Sequence, residues 1–359
     1  MTPPVRLIAL YLPQFHPIPE NNEWWGPGFT EWTNTAKAKP LFPGHYQPHV
    51  PADLGFCDLR MPESREDQAN LARAYGIEAF CYYHYWFGAG RRILERPFNE
   101  VVASGKPDFP FCLCWANETW TGIWHGAPNR VLIEQTYPGA DDHRAHFAAL
   151  LPAFTDRRHI TIEGKPVFCV YKPEKVPDPK ATWALWRDMA IAAGLPGLHV
   201  LGVSADPAWN PDTNGYDGKI CQPLMRGRQW ISRRDPIRWL ARQLALWAGL
   251  PTSHSALDFI PELERARSFP YEWHSCLIHA FDNTPRSGKN GLILRHATPE
   301  HFARMLELAI DAASKKPPER RLVFLKSWNE WAEGNHLEPD LRTGRQYLDV
   351  LRQIVAPPA

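Results

Sequence analysis

The stretch RLVFLKSWNEWAEGNHLEPD, residues 321–340, begins as an apolar run, Leu322 to Leu325, and passes directly into Trp328, Asn329, Glu330, Trp331 and Glu333. A β-strand that ends in aromatic and acidic side chains is what a (β/α)8 barrel enzyme requires, because such barrels build their sites at the C-terminal ends of their strands. The same transition recurs along the chain. Residues 6–12 run into Tyr11, Gln14, Phe15 and His16; residues 77–84 into Tyr82, Tyr83, His84, Tyr85 and Trp86; residues 109–115 into Trp115, Asn117, Glu118 and Trp120. Residues 275–281 run into Asp282 and Asn283. Five strand ends loaded alike predict one shared mouth.

Three further runs, at 166–171, 198–203 and 219–224, complete eight strands, and Tyr171 ends the first of these. Between them lie helical patterns at 63–75, 91–103, 141–154, 182–193, 236–247, 299–314 and 343–354, so β and α units alternate as a parallel sheet demands. No GxGxxG or GxxxxGK[ST] follows the first strand, which removes the main support for an open nucleotide-binding sheet. The fold class expected is α/β: a (β/α)8 TIM barrel, one domain over 1–359 with long βα loops. Residues 17–59 read as a long loop rich in Pro, Gly, Trp and Asn, and NNEWWGPGFTEWTN (21–34), with Trp25, reads as its lid or subsite wall. The pattern over 209–255 is irregular.

Lys plus Arg number 40 against 39 for Asp plus Glu, a balance without the positive field that phosphate backbones need, so nucleic acid is not an expected partner. The seven cysteines are odd in number and sit mostly in apolar runs such as FCLCW, as small core residues. They imply neither a disulfide framework nor a zinc site, and no metal or cofactor is expected. No run reaches the roughly 18 apolar residues of a membrane span, and the N-terminal apolar run is too short for a signal peptide. The expectation is a cytoplasmic protein without an integral membrane segment; nothing in the pattern fixes its oligomeric state.

Paired carboxylates are the usual requirement for breaking a glycosidic bond, one protonating the leaving oxygen and the other acting as base or nucleophile. Glu330 and Glu333 are such a pair, and aromatic surroundings would raise a carboxylate's pKa toward that of an acid useful at neutrality. The plainer reading has them capping a helix or pairing with Arg342 and Arg345. Their company at a strand end favours catalysis. The second carboxylate stays ionised if Asn329, His336 or a backbone amide bonds it. The Tyr and Trp residues divide between core and sugar stacking, since sugar rings present apolar faces to aromatic rings. Glu118 serves as hydroxyl acceptor or structural anchor; His16 and His84 as donors near the site; Asp282, Asn283 and Arg286 as an Asx turn with an ion pair or as a sugar clamp.

The motifs ALYLPQFHPI (9–18), NNEWWGPGFTEWTN, HYQPHVPADLGFCDLR (45–60), GIEAFCYYHYWF (76–87), PFCLCWANETWT (110–121), KPVFCVY (165–171), FDNTPR (281–286) and SWNEWAEGNHLEPD (327–340) together resemble the WbsX-like polysaccharide-biosynthesis proteins. That family is similar to glycoside hydrolase family 99, the endo-α-mannosidases. The resemblance implies a (β/α)8 barrel acting with retention on α-linked sugars of an oligosaccharide or polysaccharide, such as a bacterial O-antigen. It implies that Glu330 deprotonates the sugar 2-hydroxyl, whose oxygen closes a 1,2-anhydro ring, and that Glu333 acts as acid and then base. Mannose and rhamnose configurations satisfy this chemistry. Where the mannosidases carry His after the central Trp, this chain has Ala332. The alternatives are a glycosyltransferase of lipopolysaccharide or capsule assembly and a non-catalytic carbohydrate-binding protein.

Overall fold

The computed structural model describes residues 5–122, 127–223, 239–240, 243–244 and 247–355. Eight parallel strands form the barrel: β1 (Arg6–Tyr11), β2 (Ile77–His84), β3 (Phe111–Trp115), β4 (Lys165–Val170), β5 (His199–Ser204), β6 (Gly218–Cys221), β7 (Trp273–Ile278) and β8 (Leu322–Lys326). Each pairs with the next, β3 meets β4 through Leu113 and Phe168, and the ring closes where β8 lies against β1 with Leu7 beside Val323 and Ile8 beside Phe324. A two-residue strand, Thr161–Ile162, adds antiparallel to β4. Strands covered on both faces must bury both, which is why these eight runs are rich in Val, Ile, Leu, Phe and Cys and almost wholly buried.

All eight expected strands are present. β3 begins at Phe111 because Pro110 before it has no N–H to give a ladder. Helices cover the barrel at Pro62–Ala74, Arg96–Ser104, Ala140–Phe154, Pro179–Ala192, Phe259–Ala266, Pro299–Ser314 and Gln346–Val355. Two start points differ from expectation for a stated reason. Pro97 and Pro179 sit in first turns, where a missing N–H costs nothing, and the Asp178 side chain accepts from the Ala181 amide. Outside the barrel, Phe168 packs on Trp186, which meets Phe147 and Phe154. The helix Phe259–Ala266 had no counterpart in the sequence pattern, and the one expected at 236–247 lies mostly outside the described residues, as does position 224 of the sixth strand. No helix among the described residues is long and apolar enough to cross a membrane. All seven cysteines are free thiols.

Residues 17–59 are not a structureless loop. They hold helices at Pro19–Trp25 and Glu31–Lys37, the second opened by a capping box between Thr30 and Thr33. After β3 the chain makes an antiparallel hairpin of Trp120–Gly122 and Ala127–Ile133. Both insertions stand at the C-terminal ends of barrel strands.

Candidate active site

The turn after β8 determines what the mouth contains. Trp331–Glu333 form a single 3-10 turn, a conformation that brings side chains three residues apart onto the same side, so Glu330 and Glu333 point together. Its ends are stitched down. Asn329 Oδ1 accepts from the Leu12 amide at 2.7 Å and its Nδ2 donates to Leu12 O at 3.1 Å. Asn335 Oδ1 accepts from the Ser327 amide at 2.9 Å, and Ser327 Oγ accepts from the Glu330 amide at 3.1 Å. Gly334 closes the turn at φ +54°, and a Cβ there would stand 3.2 Å from the backbone nitrogen of Asp282, so only glycine fits without displacement.

Both carboxylates open into a cavity of about 390 Å³ at the C-terminal end of the barrel. Gln14, Tyr83, Tyr85, Glu118, Trp120, Tyr171 and Arg286 line it from the ends of β1, β2, β3, β4 and β7, and Trp25 lines it from the 17–59 segment. Ten sequence-predicted site residues thus meet there. Phe29, Glu31 and Asn34, from the stretch expected as a lid or subsite wall, also line it without having been singled out, and so do Thr119, Thr121 and Lys326 among the polar groups.

The other predicted residues stand behind the walls. Tyr11 donates to Gln68 Oε1 at 2.5 Å. His84 meets His146 at 2.8 Å, and Trp86 stacks on the same imidazole and donates to Asp142 Oδ2 at 3.1 Å. Trp115 donates to Trp86 O at 2.9 Å. Asn117 joins the loops after β3 and β4 by exchanging hydrogen bonds with the Lys172 backbone at 2.8 Å. Asp282 accepts from His45 and Gln47 at 2.7 and 2.8 Å, while Asn283 accepts from the Leu292 amide at 2.7 Å. Trp328 is buried against Phe80, and Trp331 stacks on His336 with Trp32 packed at a tilt against it, so neither tryptophan faces the cavity. His16 is buried outside the lining. Arg342 and Arg345 pair elsewhere, over Tyr46 and with Asp53.

Charge inside the cavity is arranged as an alternating chain. Lys326 bonds Glu330 and stands 3.4 Å from Glu333 Oε2. Arg286 donates to Glu333 Oε1 at 2.7 Å and to Glu31 Oε1 at 2.6 Å, and Glu31 also accepts from the Ala332 amide at 2.9 Å. Burial pushes Glu330 up to about 7, with Lys326 opposing it and Glu333 adding to it. Burial acts the same way on Glu333, but Lys326 and Arg286 together outweigh it and hold that carboxyl below its usual range. The pair therefore keeps one proton near neutrality, resting on Glu330. Tyr83 and Tyr171 are neutral phenols, raised by burial and by the neighbouring carboxylates.

A third carboxylate lies beneath. Glu338 is buried, accepting from Trp331 Nε1 at 2.5 Å and Gln68 Nε2 at 2.7 Å, and burial still pushes it up to about 7. Its folded pKa exceeds its unfolded one, so its contribution to stability is full below about 4.5 and is lost as pH rises through 7. The expected result is that, relative to Glu338→Gln, the wild type loses on the order of 3 kcal/mol of unfolding free energy between pH 4.5 and 7.5. Urea denaturation of both proteins across that range checks it; a constant difference would refute the assignment.

The fold and the mouth place the chain beside known proteins. The profile of the family described as "Glycosyltransferase WbsX" matches residues 7–351. Two proteins of Xanthomonas campestris pv. campestris, from strains ATCC 33913 and B100, both named "Uncharacterized protein WxcX", are 38% identical over 360 residues. The match takes in 98% of this chain and 50% of each relative, so the chain spans about half the length of the curated relatives it matches. Among solved structures, a family 99 endo-α-mannosidase from Bacteroides thetaiotaomicron, bound to bis-tris propane, superposes with a TM-score of 0.58 at 13% identity, covering 98% of this chain and 96% of that one. A "Glycoside hydrolase-like protein" superposes at 0.60 with 14% identity, covering 99% and 94%. At such identities these structures speak for the (β/α)8 fold alone. The family profile, running over nearly the whole chain, makes this protein a member of the WbsX glycosyltransferase family.

Proposed function

We propose that this protein cleaves α-glycosidic bonds of a bacterial surface polysaccharide with retention of configuration, through Glu330 and Glu333. The observation that carries the reading is two carboxylates on one side of a 3-10 turn, sharing the Lys326 ammonium, at the floor of an aromatic-walled cavity. One ammonium touching both holds the two carboxyl groups together on one side of the cavity, within reach of a single anomeric centre.

A sugar 2-hydroxyl donating to Glu330 favours that group's charged form and drives the shared proton toward Glu333, beside the leaving oxygen. The hydroxyl's oxygen then attacks the anomeric carbon as Glu330 takes its proton and Glu333 protonates the departing oxygen. Water, deprotonated by Glu333, opens the anhydro ring, and Glu330 returns the proton to O2. Intramolecular attack carries the large advantage of a pre-positioned nucleophile. Trp25, Tyr83, Tyr85, Trp120 and Tyr171 supply stacking faces, with the 17–59 segment as one wall of the subsite.

The family description favours a second reading, transfer from a sugar nucleotide. Against it, both cations among the described lining residues, Arg286 and Lys326, are already held by carboxylates, and Glu31 and Glu118 add negative charge where a diphosphate would sit. Incubation with α-mannan and α-rhamnan oligosaccharides, followed by early-time NMR of the products, tests the proposal. The α-anomer is expected first, and a 2-O-methyl substrate should be inert. Release of nucleotide from a sugar-nucleotide donor, with no hydrolysis of any glycan, would establish the transferase instead.

A further inference from the structure

Behind the aromatic wall, three metal-ligating side chains converge from two distant segments. His49 Nδ1 lies 2.8 Å from His336 Nε2 and 3.7 Å from Asp340 Oδ2, and His336 Nε2 lies 3.9 Å from the same oxygen. The two longer distances exceed a hydrogen bond, so Asp340 Oδ2 bonds neither imidazole and faces the space between them. The triangle with these three sides has a centre about 2.05 Å from every corner, within the roughly 2.0–2.2 Å of zinc bonds to imidazole nitrogen and carboxylate oxygen.

The surroundings fix the ligands as a metal centre needs. His336 Nδ1 lies 2.8 Å from Glu338 O, which can only accept, so that nitrogen carries the proton and Nε2 presents its lone pair inward. Asp340 Oδ1 is occupied by the Arg342 and Thr343 amides and the Thr343 hydroxyl at 2.6–2.9 Å, and the Tyr46 phenol also hydrogen-bonds this carboxylate, so the group is held in place beside the two imidazoles. His49 is only partly buried, which gives an ion a way in. Arg342 stacks over Tyr46 nearby, a charge offset by Asp340 and Asp282.

We propose that His49, His336 and Asp340 bind a divalent zinc-type cation, with water completing the shell, and that this ion fastens the 17–59 segment to the loop after β8. On binding, the His49 proton that otherwise bridges the two imidazoles moves from Nδ1 to Nε2, and no bond is made or broken beyond coordination. The site is structural. His336 stacks on Trp331 at 3.7 Å, so the ion steadies the turn that carries Glu330 and Glu333 without entering their cavity. This inference does not depend on the proposed reaction.

The test uses full-length protein prepared without a histidine tag, stripped with EDTA and titrated calorimetrically with zinc chloride. One equivalent is expected to bind, to raise the melting temperature by several degrees, and to bind at least about 100-fold more weakly to His49→Ala and Asp340→Asn. X-ray absorption of the zinc-loaded wild type should show only nitrogen and oxygen neighbours near 2.0–2.1 Å. No binding and unchanged melting in the wild type would reduce the trio to a hydrogen-bonded histidine pair. Sulfur neighbours, or undiminished affinity in both variants, would place the ion elsewhere and equally overturn the assignment. The absorption measurement stands even if a variant fails to fold.

Discussion

Glu333→Gln is expected to lower kcat/KM on an unactivated α-glycoside by at least about 10³-fold, roughly 4 kcal/mol of transition-state stabilisation, while the protein remains folded. The amide has the carboxylate's shape but no proton to give, and Arg286 keeps Glu31 as its second partner, so the local fold survives. An aryl glycoside whose leaving group departs as a stable anion needs no acid, and on it the loss should shrink to about tenfold or less. Glu330→Gln is expected to lose a comparable factor on both substrates, because a base for the 2-hydroxyl is needed whatever departs. Steady-state kinetics of both variants on the two substrates, with circular dichroism to confirm folding, decides the matter. Wild-type turnover in either variant on the unactivated substrate would refute the carboxylate mechanism. If instead Glu330→Gln is the one rescued by the better leaving group, the proton stays where it rests and the two roles exchange.

Lys326→Met should alter the pH profile more than any other single change. In the wild type the competent pair holds one proton, so activity falls as pH rises past about 7, where Glu330 ionises, and falls again in acid below the lowered range of Glu333. Removing the ammonium leaves two adjacent buried carboxylates with Arg286 as their cation, which disfavours ionisation of both. Both limbs are expected to move upward by about one unit or more, and turnover near pH 5 to drop by at least about tenfold as the pair becomes doubly protonated. Stability should change less, since the carboxylates can take up a proton when their ammonium is gone. Measured kcat/KM from pH 4 to 9 checks this. Unmoved limbs would mean that Lys326 does not set the pair's charge.

Most of the eight strands were legible because parallel barrel strands are buried on both faces and leave apolar runs, the short GKIC of β6 least so, and the mouth because polar and aromatic residues collect at their ends. What the order of residues could not show is which side of a strand each of them takes. Alternation sends Tyr83 and Tyr85 into the cavity and His84 and Trp86 outward to His146, although all four read alike in GIEAFCYYHYWF. Lys326 fell inside the run read as the eighth strand and drew no reading of its own, yet its ammonium touches both carboxylates. Glu31 lay in the stretch read as a lid or subsite wall but was not singled out there, its partner Arg286 standing 255 positions away. A lysine interrupting an apolar run one step before a polar turn, and an acidic residue at a helix's first turn in an aromatic loop, are the signals that could have disclosed them.

The bonds between Asn329 and Leu12 span 317 positions of the chain. Without residues 322–326, the first seven strands can form only an open curved sheet whose outer edges, on β1 and β7, lack their partner. Insertion of β8 closes the ring, and the same insertion carries both acidic groups to their places. A chain cut off before residue 322 would therefore lack both Glu330 and Glu333 and would leave two unpaired strand margins open to its neighbours.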